Sequence, residues 1–261
     1  MANNWRRRWF SPPTNPLARP RSTVRPGPGL RGLLFGLLFS VAMATAAEPF
    51  FKPFTAEFSI HRGAIPLGSL ELKFTFDSAF EYSYHAHTQP GFLAGWFNGE
   101  EADEESRGRI ISEFVVPESY RYKESVNEED NTQIRFDWRE RKVFTTSGGV
   151  TWSQEMEAGT QDRLSQQLMV RLQLAGGRKE VAYMVADGGK LKHYLFRVVG
   201  EEPIKTPYGR LHCLKVRRSK ESRAPDYTIW FARELDYLPV RIERQQGSGH
   251  YRMELERLEG L

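Results

Sequence analysis

The chain is dominated by an alternation of apolar and polar residues that starts at Phe54 and returns, segment after segment, almost to the C-terminus. In FTAEFSIH, Phe54, Ala56, Phe58 and Ile60 share one face, while Thr55, Glu57, Ser59 and His61 share the other. Gly68, Leu70, Leu72, Phe74 and Phe76 repeat the pattern against Ser69, Glu71, Lys73 and Thr75, and Phe80, Tyr82, Tyr84 and Ala86 repeat it again. A period of two is that of a strand with one face buried and one in water. The short link Asp77-Ser78-Ala79 makes the second and third strands antiparallel neighbours in a meander.

Further strands are expected near 100–110, 118–127, 131–138, 141–147 and 149–156, then 179–186, 191–200, 204–218, 226–233, 237–245 and 249–258. Ser147-Gly148-Gly149, Asp187-Gly188-Gly189 and Gly247-Ser248-Gly249 mark tight turns, and Pro207 with Gly209 marks a turn or bend inside the 204–218 segment. Two stretches break the alternation. Residues 161–175 place Leu164, Leu168, Val170 and Leu172 at helical spacing, with Thr160 as N-cap and Gly176-Gly177 as the stop. Residues 90–99, PGFLAGWFNG, put Phe92, Leu93, Trp96 and Phe97 into a glycine-bounded segment that reads as a short helix, a cap or a lid. The expected fold is therefore mainly β. It is a curved antiparallel sheet or half-barrel of about a dozen strands, with one amphipathic helix (161–175) covering or plugging it.

Charge narrows the functional classes. Residues 1–46 hold seven arginines and no acid, so the formal +4 of the whole chain belongs to them; beyond residue 46 there are 30 Lys and Arg against 33 Asp and Glu. A nucleic-acid partner loses its electrostatic support. The apolar run GLLFGLLFSVAMATA is about 15 residues long, short of the roughly 20 a spanning helix needs. It ends in Ala44-Thr45-Ala46, an A-x-A cleavage pattern. Residues 1–46 read as a signal peptide cleaved after Ala46, and 47–261 as a single β-rich domain exported to the periplasm by the general secretory route. The Arg- and Pro-rich stretch before Val24 exceeds what a signal needs and suggests a translation start further in. With one cysteine, no internal disulfide forms, and the domain must be held by burial, for which 28 aromatic residues beyond residue 46 suffice.

Few residues offer chemistry. Cys213 adjoins His212, but strand neighbours point to opposite faces, so His212 is not its base and Cys213 reads as a small buried hydrophobe. His85 and His87 share one face and are the metal candidates, weakly, because zinc needs a third protein ligand and the face is polar. The acidic run at 100–105 lacks calcium-loop spacing, and no nucleophile elbow or phosphate-cradling loop is present. Arg217-Arg218 with Lys215 and Lys220 reads as a solvated strand end.

Several segments together resemble the exported bacterial domain of unknown function 3108 family. The opening PFTAEFSIHRGAIPLGSLELKF, the helix entry Asp162-Arg163-Leu164-Ser165, and GEEPIKTPYGRLHCLKVRR followed by YTIWFARELDYLPVRIE carry the likeness. The resemblance implies an exported protein with no assigned catalytic residues. It also implies a strand meander around a helix, similar to the half-barrels of periplasmic lipoprotein carriers. The leading expectation is a non-enzymatic periplasmic protein, without cofactor, that binds a lipid-like or amphipathic ligand in envelope biogenesis. Phe92, Leu93, Trp96 and Phe97 are its expected lid, and Trp138, Trp152 and Trp230 its expected wall. The alternatives are a structural or protein-interaction module with a self-filled barrel and an envelope protein partner, or a hydrolase or metal enzyme. Membrane contact, on any of these readings, is at most peripheral.

Overall fold

The structure is a computed structural model that describes residues 50–78, 80–91, 101–125, 131–220, 226–247 and 249–261. The expected signal peptide (1–46) and the expected lid residues Phe92, Leu93, Trp96 and Phe97 lie outside the described residues. In chain order the first strands are β1 (Phe54–Arg62), β2 (Ile65–Phe76), β3 (Glu81–Pro90), β4 (Ala102–Ile111) and β5 (Phe114–Glu124). Next come β6 (Thr132–Asp137), β7 (Lys142–Ser147), β8 (Val150–Glu155) and β9 (Gln161–Asp162), then helix α1 (Ser165–Ala175). The last strands are β10 (Glu180–Asp187), β11 (Lys190–Lys205), β12 (Arg210–Lys220), β13 (Tyr227–Ala232), β14 (Leu238–Gln246) and β15 (Gly249–Glu259).

All fifteen strands form one sheet, ordered β8-β7-β6-β5-β4-β3-β2-β1-β15-β14-β13-β12-β11-β10-β9. The first and last strands pair antiparallel at its middle. The sheet is thus two meanders, an N-terminal wing (β1–β8) and a C-terminal wing (β9–β15), fused along that ladder. Register shifts at Glu57/Phe58, Ile60/His61, Arg107/Gly108, Val198/Gly200 and Trp230/Phe231 bend the strands. The sheet curls without closing into a barrel. Side chains of its edge strands reach the opposite wing: Gln161 Nε2 of β9 donates to the Val115 carbonyl of β5 (2.9 Å), and Trp152 Nε1 of β8 to the Gly189 carbonyl between β10 and β11 (3.1 Å). Gly189 has φ +72°, and a Cβ there would stand 2.6 Å from the Trp152 ring, so only glycine permits this contact.

The inner face is the apolar one read from the alternation. In the N-terminal wing it carries Phe54, Ala56, Phe58, Leu72, Phe74, Tyr82, Tyr84, Tyr120, Ile134, Phe136 and Val143, all buried. Phe74 is the hub, with ring centroids 5.1–6.2 Å from Phe51, Phe54, Phe76, Tyr82 and Tyr84. Each fully buried ring adds about 1.5–3 kcal/mol of burial plus smaller edge and stacking terms.

Two local expectations are corrected. The helix starts at Ser165, not 161, because Gln161 and Asp162 pair in parallel with Val185 and Ala186. Its N-cap position is Leu164 rather than Thr160, and the turn leading into it is held by Asp162: Asp162 Oδ1 accepts from the Leu164 and Ser165 amides (both 2.8 Å), and Ser165 Oγ accepts from the Asp162 amide (2.8 Å). That exchange has the reciprocal form of a capping box. α1 is also more than amphipathic. Leu168, Met169, Val170 and Arg171 are all buried, and four successive residues cover every side of a helix, so α1 plugs the curl.

Candidate functional site

The inner face of the C-terminal wing is built in cross-strand rows, because paired residues point the same way and every second residue starts a new row. Deepest, Leu214 pairs with Phe231, and Leu255 with Phe58, all four buried against the plug. The next row runs Val216, Ile229, Ile242, Met253 and Ile60 across five strands, linked by the pairings Val216↔Ile229, Ile229↔Ile242, Ile242↔Met253 and Ile60↔Met253. The outermost row is of another kind: Arg218 pairs with Tyr227, Arg244 with Tyr251, and Tyr251 with Arg62. Here guanidinium groups and phenol rings alternate. The Arg218 guanidinium lies 3.9 Å from the Tyr227 ring centroid, that of Arg244 5.3 Å from the same ring, and that of Arg62 5.6 Å from Tyr251.

α1 does not fill this wing. Between Leu164, Gln167 and Val170 of the helix segment and Ile229, Ile242 and Met253 of the sheet lies a cavity of about 640 Å³. That is inside the range of roughly 300–1,000 Å³ usual for small-molecule sites. Its walls are apolar in depth and cationic at the mouth, where Arg163, Arg218, Lys220 and Arg244 stand beside Glu104 and Asp187. Asp187 accepts from Lys192 (2.9 Å), Lys220 (2.9 Å) and the Tyr194 hydroxyl (2.7 Å). Burial pushes its carboxyl up, but these three bonds and the Lys220 charge outweigh it and hold the group well below the usual carboxylate range.

Behind the cavity, the plug is anchored by two buried charged groups. Asp162 is fully buried and accepts from the Ser106 hydroxyl (2.7 Å), which also bonds the Tyr82 hydroxyl (3.0 Å). Burial pushes its carboxyl up to about 6, against the opposing pull of its hydrogen bonds to Ser165, Ser106 and Leu164. Arg171 is also fully buried; its Nε donates to the Asp236 carbonyl (3.0 Å), and its guanidinium lies 4.8 Å from the Phe51 ring and 5.1 Å from Phe54. Burial pulls it down to about 10, and Nη1 and Nη2 have no partner among the described residues.

The described residues that the sequence singled out as site candidates, Trp138, Trp152, Trp230, His85 and His87, lie elsewhere. Trp230 follows Ile229 and precedes Phe231, so it points to the outer face, where Nε1 donates to Glu202 (2.7 Å). Trp138 stacks on Phe136 at 6.0 Å and donates to the Pro117 carbonyl (2.7 Å) in the N-terminal wing, while Trp152 sits at the seam. None of the three lines the cavity. His85 pairs with Glu105 (3.1 Å), and His87 with Asp103 (2.7 Å), on the outer face. Among the described residues no group of three or more His, Cys, Asp or Glu could hold a metal. Cys213 is buried, and burial pushes its thiol up to about 12; His212 faces away and bonds Glu234 (3.3 Å). The cationic row was missed in the sequence, although its signal is there: the alternation of Leu214 and Val216 continues through Arg218 and Lys220, which puts them on the apolar face.

The geometry defines a class first: an open, curled β-sheet whose helix α1 fills one half of the concavity and leaves a lined chamber in the other. The sequence profile described as "Protein of unknown function (DUF3108)" matches residues 57–256, and the chain belongs to that family. The crystal structure of a beta-barrel-like protein of domain of unknown function DUF1849 from Brucella abortus is similar in fold. Its TM-score is 0.55 at 11% identity, over 80% of this chain and 98% of that one. A Bacteroides fragilis protein described as exported, with a YmcC-like fold, superposes at TM-score 0.36 and 9% identity, over 81% of this chain and 97% of that one. No curated protein matches the chain. Among the described residues no helix is long and apolar enough to cross a membrane.

Proposed function

We propose that this is a non-enzymatic periplasmic binding protein that holds an apolar or amphipathic molecule, in service of the cell envelope. The observation that carries the reading is the half-filled concavity: a chamber of about 640 Å³ with an apolar row, Ile229, Ile242, Met253 and Ile60, along its wall. Apolar inner faces are normally packed to near-crystalline density, so a chamber bordered by such a row has room for a guest. Its carboxylates Glu104 and Asp187 are engaged in ion pairs, and Cys213, His85 and His87 stand outside it, which favours binding over catalysis. The leader over 1–46 supports export, and the net negative charge beyond it argues against nucleic acid. Native mass spectrometry of protein purified from its own periplasm tests the reading: a co-purifying amphiphile is expected. A bare mass, together with no uptake of a fluorescent fatty acid, would overturn it.

One observation favours a second reading, an interaction module. Phe80, Ile111 and Phe114 are 64%, 46% and 52% exposed, and the Ile110 amide donates to the Phe80 carbonyl (2.8 Å), so these turns adjoin. If an envelope protein docks there, Phe80→Ser with Phe114→Ser abolishes its capture while uptake of an acyl probe stays intact.

A further inference from the structure

The cavity's mouth and depth differ so sharply that they specify the two ends of one ligand, if the chamber is a binding site as proposed above. We infer that the outer row is a headgroup site, and that the ligand is an anionic amphiphile whose phosphate or carboxylate sits among Arg244, Lys220 and Arg218 while its chain runs inward. The site is a deepening of the binding reading and rests on it.

Direction comes from the rows. Successive rows on one strand face are about 7 Å apart, two residues of roughly 3.3 Å rise each. From Tyr227 and Arg244, one step inward reaches Ile229 and Ile242, and a second reaches Phe231 and the buried bulge at Val240. A ligand lying along the strands therefore meets cations only at one end. It meets hydrocarbon over the next two rows, with Leu164 and Val170 of the helix segment opposite. A uniformly apolar guest would leave the mouth's charges with no counterpart, and a free small anion would leave the chamber unused.

Sign comes from the pairing. Arg163 is met by Glu104 (3.3 Å), and Arg218 by Asp226 in a two-pronged pair (2.7 and 3.2 Å). Lys192 and Lys220 share the single carboxylate of Asp187. Arg244 has no acidic partner among the described residues and rests on the Tyr227 ring. Among the described residues the mouth thus keeps positive charge without a matching carboxylate, in the form of one guanidinium and one half-paired ammonium. Guanidinium offers a planar fork of donors that matches phosphate and carboxylate oxygens, and stacking on Tyr227 pre-orients it. Both cations project from strands of one sheet, not from loops, so their placement is fixed by the ladders that pair Lys220 with Tyr194 and Arg244 with Tyr251.

The experiment measures binding of hexadecyl phosphate, hexadecanoate, hexadecanol and inorganic phosphate to the wild-type domain and to Arg244→Gln and Lys220→Gln, singly and combined. The two anionic chains should bind at least about tenfold tighter than hexadecanol, with a preference that shrinks at high salt. The double variant should lose that preference and keep its hexadecanol affinity, which also certifies its fold. Inorganic phosphate alone should neither bind nor displace the chains. Equal affinities for charged and neutral chains, or a preference untouched in the double variant, would overturn the headgroup site and leave the chamber reading standing. Binding of inorganic phosphate as tight as that of hexadecyl phosphate would overturn it too, by showing a free-anion site. Failure of every chain to bind would overturn both.

Discussion

The two wings of the sheet are built from the same alternation, yet they use their inner faces differently. In the N-terminal wing the inward residues are rings, Phe54, Phe74, Tyr82, Tyr84 and Tyr120, and they close on one another and on the plug. In the C-terminal wing the middle row is aliphatic, Ile229, Ile242 and Met253, between the deeper Phe231 and the outer Tyr227 and Tyr251, and the helix segment faces the cavity with Arg163, Leu164, Gln166, Gln167 and Val170. The N-terminal rings reach α1, as Tyr84 does by donating its hydroxyl to Gln167 (3.2 Å), whereas the aliphatic row leaves a gap. Side-chain reach, rather than backbone curvature alone, decides which half of the concavity is core and which is chamber.

The comparison breaks first if large-to-small changes cost the same in both wings. Phe74→Ala, at the hub of the rings, should lower stability by about 3–5 kcal/mol in chemical denaturation, whereas Ile242→Ala, which already borders open space, should cost about 1 kcal/mol. Equal losses would mean that the chamber wall is ordinary core. The anchor of the plug comes next. Asp162→Ala removes the acceptor of the Leu164 and Ser165 amides and leaves the Ser106 hydroxyl with Tyr82 alone, and should cost about 2–3 kcal/mol.

Asp162 also imposes a pH signature. Its carboxyl is raised from 3.8 to about 6 in the folded protein, so the folded state binds the proton more tightly than the unfolded one. Its contribution is therefore most favourable below pH 4, declines as pH rises through about 6, and is level above that. The stability of wild type relative to Asp162→Asn should fall across this window by on the order of 3 kcal/mol. A flat difference would show that the carboxylate is as well solvated as in the unfolded chain. The smallest effect separates the wings from the other direction. Ile229→Phe or Ile242→Phe should be neutral, or stabilising by about 1 kcal/mol, while Val143→Phe in the filled wing should cost about 1–3 kcal/mol.

Most of the fold was legible because burial on one face writes a period of two directly into the sequence, and even the seam turn at Gly188-Gly189 could be read from its residues. Where the reading failed, a tertiary contact had overruled a local rule. Gln161 and Asp162 fit a helical start, but pairing with Val185 and Ala186 turns them into a strand and moves the N-cap position from Thr160 to Leu164. The expected turn at Pro207–Gly209 is present, yet β11 continues from Lys190 to Lys205 through Gly200 and Pro203, because a bulge absorbs the irregularity. The candidate site was less legible. Tryptophans drew attention by size, whereas the strand parity that turns Trp230 outward also turns Arg218 and Lys220 inward. That the plug stops short of one wing depends on where α1 docks, and periodicity does not encode docking.

The central claim is that the C-terminal wing holds usable space. Titration of a fluorescent fatty acid into wild type and into the Ile229→Phe/Ile242→Phe variant tests it most directly. Saturable binding to wild type is expected, weakened at least about tenfold in the variant, whose unfolding midpoint should stay level or rise. Equal binding to both proteins would contradict the account.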